Sequence, residues 1–192
     1  MMSLSITALL LSSAHFVATV LLGLAGFFLI LRCWMFGIGM SPAHPFYQVV
    51  RRTTDWLVKP LGMIIPTVGR LHLPSLVSVF IVAFVSMFVE VWFGVMTINS
   101  LMLWITPIAL VCRWFLSLVY WGLIIWCVLS WVRPGANMTY TLQFLLDPFL
   151  RPVRRFIPPI AGFDLSPIIV FIVIQVLYNF VIPLSSGVEI IF

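Results

Sequence analysis

The sequence predicts an all-α integral membrane protein. Four transmembrane helices are arranged in two tandem parallel repeats, each with a cytoplasmic amphipathic or interfacial segment between its two spans. Three observations predict this. Hydrophobic residues make up 63% of the chain and charged residues 8%, with a mean hydropathy of +1.22, whereas a soluble domain carries about a quarter charged residues. A chain of 192 residues has room for about four spans of roughly 20 residues plus their connections. Finally, the stretch from Asp147 to Pro167, DPFLRPVRRFIPPIAGFDLSP, has a fainter ungapped copy 92 positions earlier, Asp55 to Ser75, DWLVKPLGMIIPTVGRLHLPS. Asp55 falls over Asp147, Lys59 over Arg151, Pro60 over Pro152, Ile65-Pro66 over Ile157-Pro158 and Leu73 over Leu165.

The first repeat covers residues 1–98. Residues 1–13 are apolar but broken by Ser3, Ser5, Thr7, Ser12 and Ser13, an exposed or interfacial lead-in. No Lys or Arg precedes the first apolar run; it lacks a signal-peptide n-region, and the first span is expected to stay. That span runs over about 14–36. Gly23 and Gly26 permit close helix approach, and Arg32 and Trp34 mark the interface. Gly37, Gly39 and Ser41-Pro42 then break the helix. The interfacial segment, 44–66, predicts an amphipathic helix of about three turns. Phe46, Val49, Val50 and Trp56 or Leu57 lie on one face, and Gln48, Arg51, Arg52 and Asp55 on the other. After Pro60 the chain turns, and Pro74 opens a second span over about 74–96.

The second repeat covers 99–192. Residues 97–107 read as a turn with Trp104 as an interfacial anchor, followed by a third span over about 108–132 and a stop at Arg133-Pro134-Gly135. The interfacial segment, 138–159, predicts a short helix up to Leu146 and a cap-then-proline restart at Asp147-Pro148. Short broken turns follow, because Pro152 removes a backbone donor. Arg151, Arg154 and Arg155 should face water, with Leu150, Val153 and Ile157 facing lipid or protein. Ser166-Pro167 starts the fourth span, about 167–185.

Orientation follows from charge. Of ten Lys and Arg residues, only Arg113 borders the far side; the other nine border the two long connections. By the positive-inside rule both connections are cytoplasmic. The expectation is a multi-pass protein of the bacterial inner membrane with both termini on the outer, periplasmic side.

The segment from Asp147 to Pro167 resembles the signature of the YggT family of bacterial integral membrane proteins, also called YlmG, which has plastid relatives. Asp147-Pro148, Arg151-Pro152, Arg154-Arg155, Pro158, Gly162, Asp164 and Ser166-Pro167 carry the match. Ala161 stands where the family usually has the first glycine of a pair, and Phe163 where it has an aliphatic residue. The resemblance covers essentially the whole chain. It implies an association with envelope organisation, division or osmotic tolerance and, in plastids, with assembling haem onto a cytochrome b subunit. It brings no catalytic residue set.

The residues themselves suggest the following chemistry. Arg151, Arg154 and Arg155, with Arg51, Arg52 and Lys59, read as contacts for anionic headgroups, worth about 1 kcal/mol per residue near the surface, or as a docking surface for an acidic partner loop. Asp147 caps the following turn or pairs with Arg151 or Arg155, and Asp164 caps the fourth span. With Ser166, Pro148, Pro152, Pro158 and Pro167 they form the structural turn and cap set. Glu90, an acidic residue deep in an apolar run, is expected to pair with Arg113 at similar depth, or at least to share a polar patch with it, as a structural feature, on an ion or proton path, or at an interface with another protein. Gln175 and Asn179 share one face of the fourth span as interhelical glue, a pore lining being the alternative.

Cys33, Cys112 and Cys127 form no CxxC or CxxCH pattern and read as small buried hydrophobes. His15, His44 and His72 lie at different depths and have no ligand spacing. No nucleotide loop, triad, metal cluster or paired intramembrane carboxylate is visible. The chain therefore reads as non-enzymatic, with no cofactor, no metal and no nucleic-acid partner: a membrane scaffold or assembly factor that binds anionic lipid and other integral membrane proteins, or itself as a homo-oligomer. The alternative is a small oligomeric channel or transporter using Glu90 or Gln175 and Asn179.

Overall fold

The computed structural model describes residues 2–69, 71–95, 102–132, 135–156 and 164–185, with side chains from residue 6. Among the described residues there are six helices: α1 (Met2–Gly37), α2 (Pro45–Gly62), α3 (Leu73–Trp92), α4 (Met102–Val132), α5 (Asn137–Phe156) and α6 (Ser166–Ser185). Among the described residues there is no strand, only an isolated bridge between Val68 and Leu71. α1, α3, α4 and α6 are long and apolar enough to cross a membrane. At ~1.5 Å per residue, a 20-residue helix matches a hydrocarbon core of ~30 Å.

Four elements depart from the sequence expectation. The serine-rich lead-in is helical and continuous with α1, because Ser12 and Ser13 turn their hydroxyls back onto the carbonyls of Leu9 and Leu10 and so do not compete for the helix backbone. α4 begins at Met102, with Pro107 inside it. Pro107 is its sixth residue, past the four whose N–H groups have no intrahelical partner, so it leaves the Leu103 carbonyl without its helical donor. α5 is one helix of 20 residues with Pro148 and Pro152 inside it, where short broken turns were expected. The two prolines are four residues apart and exposed, as is Phe144. The carbonyls they leave without a helical donor, those of Phe144 and Pro148, therefore lie on the outer face, where other donors can reach them. α2 is likewise longer than three turns, with Pro60 exposed near its end.

The chain forms two compact units, Met1–Trp114 with Val181–Phe192, and Phe115–Phe180. In the first, α1, α2 and α3 pack on one another around Leu29, Met35, Val50, Val58, Val79, Ala83 and Met87, all buried. Trp114 lies flat against Gly26: a Cβ there would meet its ring at 2.4 Å, so only glycine fits. In the second unit, α4 carries α5 and α6. Phe115 meets Phe149 with ring centroids 5.9 Å apart, and Tyr120 meets Phe171 at 5.3 Å. Ser117 and Tyr178 share a hydrogen bond of 2.6 Å. All three cysteines lie in helices, Cys33 and Cys127 half-buried, but Cys112 is exposed and so is not the small buried hydrophobe expected.

Candidate functional site

The residues with chemistry to offer gather on α2 and α5 and at one end of the α1–α3 pair. α2 starts where the His44 side chain accepts the Phe46 N–H at 3.3 Å and Pro45 occupies the first turn, a cap that serves an orphan donor. Its buried face is Tyr47, Val50, Thr54 and Val58. Val49 and Trp56, expected on that face, are instead 61% and 69% exposed. They share the outer face with Arg52 and Lys59, also exposed.

A single cation ties α2 to α1. Arg32, its side chain 7% exposed, donates through Nη1 to Asp55 Oδ1 at 2.7 Å and Thr54 Oγ1 at 2.8 Å, and more weakly to the Arg51 carbonyl at 3.4 Å. A guanidinium in so little solvent requires such partners, although its Nε remains without one. Asp55 also lies 3.8 Å from Arg51 Nε, whose side chain is 55% exposed. Beside this tie, Leu24, Ala25, Phe28 and Leu29 of α1 and Thr53, Thr54 and Trp56 of α2 line an apolar groove of about 210 Å³.

α5 buries Thr139, Thr141, Leu142, Leu145, Leu146 and Leu150. The arginine trio in its last turns is not a uniform array. Arg151 is well exposed and pairs with Asp147 one turn back. Arg154 is held on three sides: Nε and Nη2 reach Asp164 Oδ2 at 2.8 and 2.7 Å, Nη1 lies 3.8 Å from Asp147, and its Cζ sits 5.9 Å from the centre of the Trp126 ring. Arg155 is exposed. Asp164 Oδ1 accepts the Ser166 N–H at 2.9 Å and so caps α6. Burial alone would raise its pKa; the Ser166 donors and the Arg154 guanidinium outweigh that and hold it below the usual value of 3.8. Pro148, Pro152 and Pro167 lie in α5 and the first turn of α6; Pro158, with Ile157, Ala161, Gly162 and Phe163, lies outside the described residues.

The third cluster lies between α1 and α3. Glu90 takes His15 and Thr19 as partners, at 2.9 Å from Oε2 to His15 Nε2 and 3.3 Å from Oε1 to Thr19 Oγ1, and Phe93 leans on the imidazole with centroids 5.1 Å apart. Arg113, the partner expected from depth, instead has its Nη1 3.5 Å from Ser185 Oγ. Depth was the wrong criterion: α1 packs directly on α3 and brings its own polar residue to that level. The i, i+4 pair of His15 and Thr19, set in an apolar run, was the signal that the sequence reading passed over. Gln175 and Asn179, expected between helices, are exposed on the outer face of α6; the inner contact is made by Tyr178.

Comparison with known proteins settles the family. The CCB3/YggT family model matches the chain twice in succession, over residues 11–93 and 95–185. The chain belongs to the CCB3/YggT family. It is 33% identical to the uncharacterised YggT protein of Escherichia coli K12 over 150 residues, 78% of each chain. It is also 30% identical to an uncharacterised protein of Haemophilus influenzae over 191 residues, 99% of each. A chloroplastic YlmG homologue of Arabidopsis thaliana is 41% identical over 63 residues, 32% of this chain and 25% of its own length. No solved structure matches. The two matched segments run from residue 11 to residue 185 and so take in most of α1 and all of α2 to α6. Among the described residues, no group of three His, Cys, Asp or Glu side chains is placed to hold a metal ion.

Proposed function

We propose that this CCB3/YggT protein is a non-enzymatic scaffold or assembly factor of the bacterial inner membrane. α2 and α5 lie along the cytoplasmic surface, where they engage anionic headgroups and acidic segments of other membrane proteins. The observation that carries the reading is the make-up of their outer faces. On α2, Val49, Arg52, Trp56 and Lys59 are exposed, as is Met63 just past its end; on α5, Tyr140, Phe144, Arg151, Arg155 and Phe156 are exposed. Basic residues interleaved with large apolar ones suit a helix half-sunk in the headgroup layer, the apolar side chains entering the acyl boundary and the cations meeting phosphates. Nine of the ten Lys and Arg residues border these two connections, which supports a cytoplasmic placement with both termini outside.

The two successive family matches and the constant 92-residue offset support a tandem repeat, each half contributing a span, a basic surface helix and a second span. The arginines then divide by role. Arg32 and Arg154 are fastened within the protein, whereas Arg52, Lys59, Arg151 and Arg155 are presented outward. The test is gentle extraction from native membranes of a variant with Arg52, Lys59, Arg151 and Arg155 all changed to Gln, followed by mass analysis of what stays bound. The reading expects the variant to insert normally and lose stoichiometric membrane partners and anionic lipid. Unchanged co-purification would overturn it.

A further inference from the structure

The outer face of α6 carries two carboxamides that no described residue answers. Gln175 and Asn179 are one turn apart, and both are exposed. Among the described residues neither has a hydrogen-bond partner. They stand in a row of exposed apolar side chains, Ile168, Ile172, Val176 and Phe180. The opposite side of α6 is occupied, with Val170 and Ile174 buried and Tyr178 bonded to Ser117.

Depth makes this exposure costly. Gln175 is the tenth residue of a 20-residue span; at ~1.5 Å per residue it sits ~14 Å from Ser166, close to the middle of a ~30 Å hydrocarbon core. From there a glutamine side chain cannot reach the headgroups. An amide in hydrocarbon without a partner is unfavourable, and Asn and Gln in spans bond across helices instead.

The occupant follows from symmetry. Copies of one membrane protein insert with the same orientation, so a twofold axis along the membrane normal sets each residue opposite itself at equal depth. A carboxamide has both a donor and an acceptor, so a Gln–Gln or Asn–Asn pair closes reciprocally, which a carboxylate or guanidinium facing its own copy does not. We propose that two copies of this chain pair through the outer face of α6, with Gln175 bonded to Gln175 and Asn179 to Asn179 across the axis. This does not rest on the surface-helix reading above, since it concerns the middle of the membrane.

The test uses full-length chain in native membranes, with Cys33, Cys112 and Cys127 replaced by Ala and a single reporter, Ile172→Cys, on the outer face. Oxidation should give a covalent dimer. Adding Gln175→Leu and Asn179→Leu should reduce the dimer at least tenfold, and these changes replace exposed residues by ones that insert readily. The exchange Gln175→Asn with Asn179→Gln should keep it, because both levels stay self-complementary. The buried reporter Ile174→Cys should give none. A wild-type face that yields only monomer, a Leu variant that cross-links undiminished, an exchange variant that loses the dimer, or a stoichiometric cross-link to a different protein would each overturn the proposal.

Discussion

α2 and α5 occupy matching places in the chain and share Asp, a basic residue and Pro at the same spacing, yet they are fastened differently. α2 is tied back to the preceding span by Arg32 of α1, almost fully buried, which grips Asp55. α5 is tied forward, its own Arg154 gripping Asp164 just before α6 while Asp147 turns to Arg151 on the same helix. Neither tie has a counterpart in the other half: 92 positions on from Arg32 stands Ile124, and 92 back from Arg154 stands Gly62. What recurs is a carboxylate–guanidinium closure of the basic helix, with the cation drawn from a different element each time. The same holds for the following span, whose start is capped by His72 in one half and by Asp164 in the other. A repeated sequence motif thus fixes the helix and its charge, while the fastening can be replaced.

The first way to sharpen the comparison is at the glycines that let helices approach. Gly26→Leu drives a side chain into the Trp114 ring, where even a Cβ would be at 2.4 Å; it should cost about 3 kcal/mol in thermal or denaturant unfolding in detergent. Gly122→Ala meets only the flexible end of Leu146 at 3.3 Å, and the gain in helix propensity of about 1 kcal/mol offsets the contact. Its midpoint should barely move; equal losses would mean that both units are packed equally tightly.

Next come the ties. Arg32→Met leaves Asp55 with one long contact to Arg51, and should cost about 2 kcal/mol. Arg154→Met should cost about 1 kcal/mol, since that side chain is 27% exposed against 7% for Arg32 and water screens the loss. The reverse order would show that the forward tie is the stronger.

The caps separate by pH. His72 accepts the Ser75 N–H through Nδ1 at 3.2 Å, which requires the neutral ring. Burial first, and then the Arg32 charge, lower its pKa below 6.5. A depressed folded pKa means that the stability it contributes is present above 6.5 and is lost as pH falls through the folded value. Asp164 follows the same sign from its ordinary 3.8, so its contribution persists to much lower pH. Hydrogen exchange at residues 73–77 should therefore rise, after correction for intrinsic rates, as pH drops from about 7 to about 5. Exchange at residues 166–170 should stay flat over that range; a rise at both would remove the distinction. The smallest effect is at the outward cations: Arg52→Gln and Arg155→Gln should each change stability by less than about 0.5 kcal/mol.

The four spans and the two basic connections were legible because apolar length and charge asymmetry are local signals. The break at Pro152 was not a break, since a proline's effect depends on whether its freed carbonyl faces outward, which only packing decides. Glu90 was singled out with Arg113 as its expected neighbour, whereas the side chain it meets, His15, lies 75 positions away and is chosen by which helices touch. The arginine trio was visible as a group; its division into Arg154 held and Arg155 presented depends on Asp164 and Trp126, which the spacing alone does not bring to it.

Side-specific labelling asks whether both basic helices sit on one side of the membrane, as proposed. With Cys33, Cys112 and Cys127 replaced by Ala, single reporters Arg52→Cys, Arg155→Cys and Ser12→Cys are exposed to a membrane-impermeant maleimide in spheroplasts and in inverted vesicles. With the proposed placement, Arg52→Cys and Arg155→Cys should label only in inverted vesicles and Ser12→Cys only in spheroplasts. Labelling of the Arg52 and Arg155 reporters from opposite sides would contradict it.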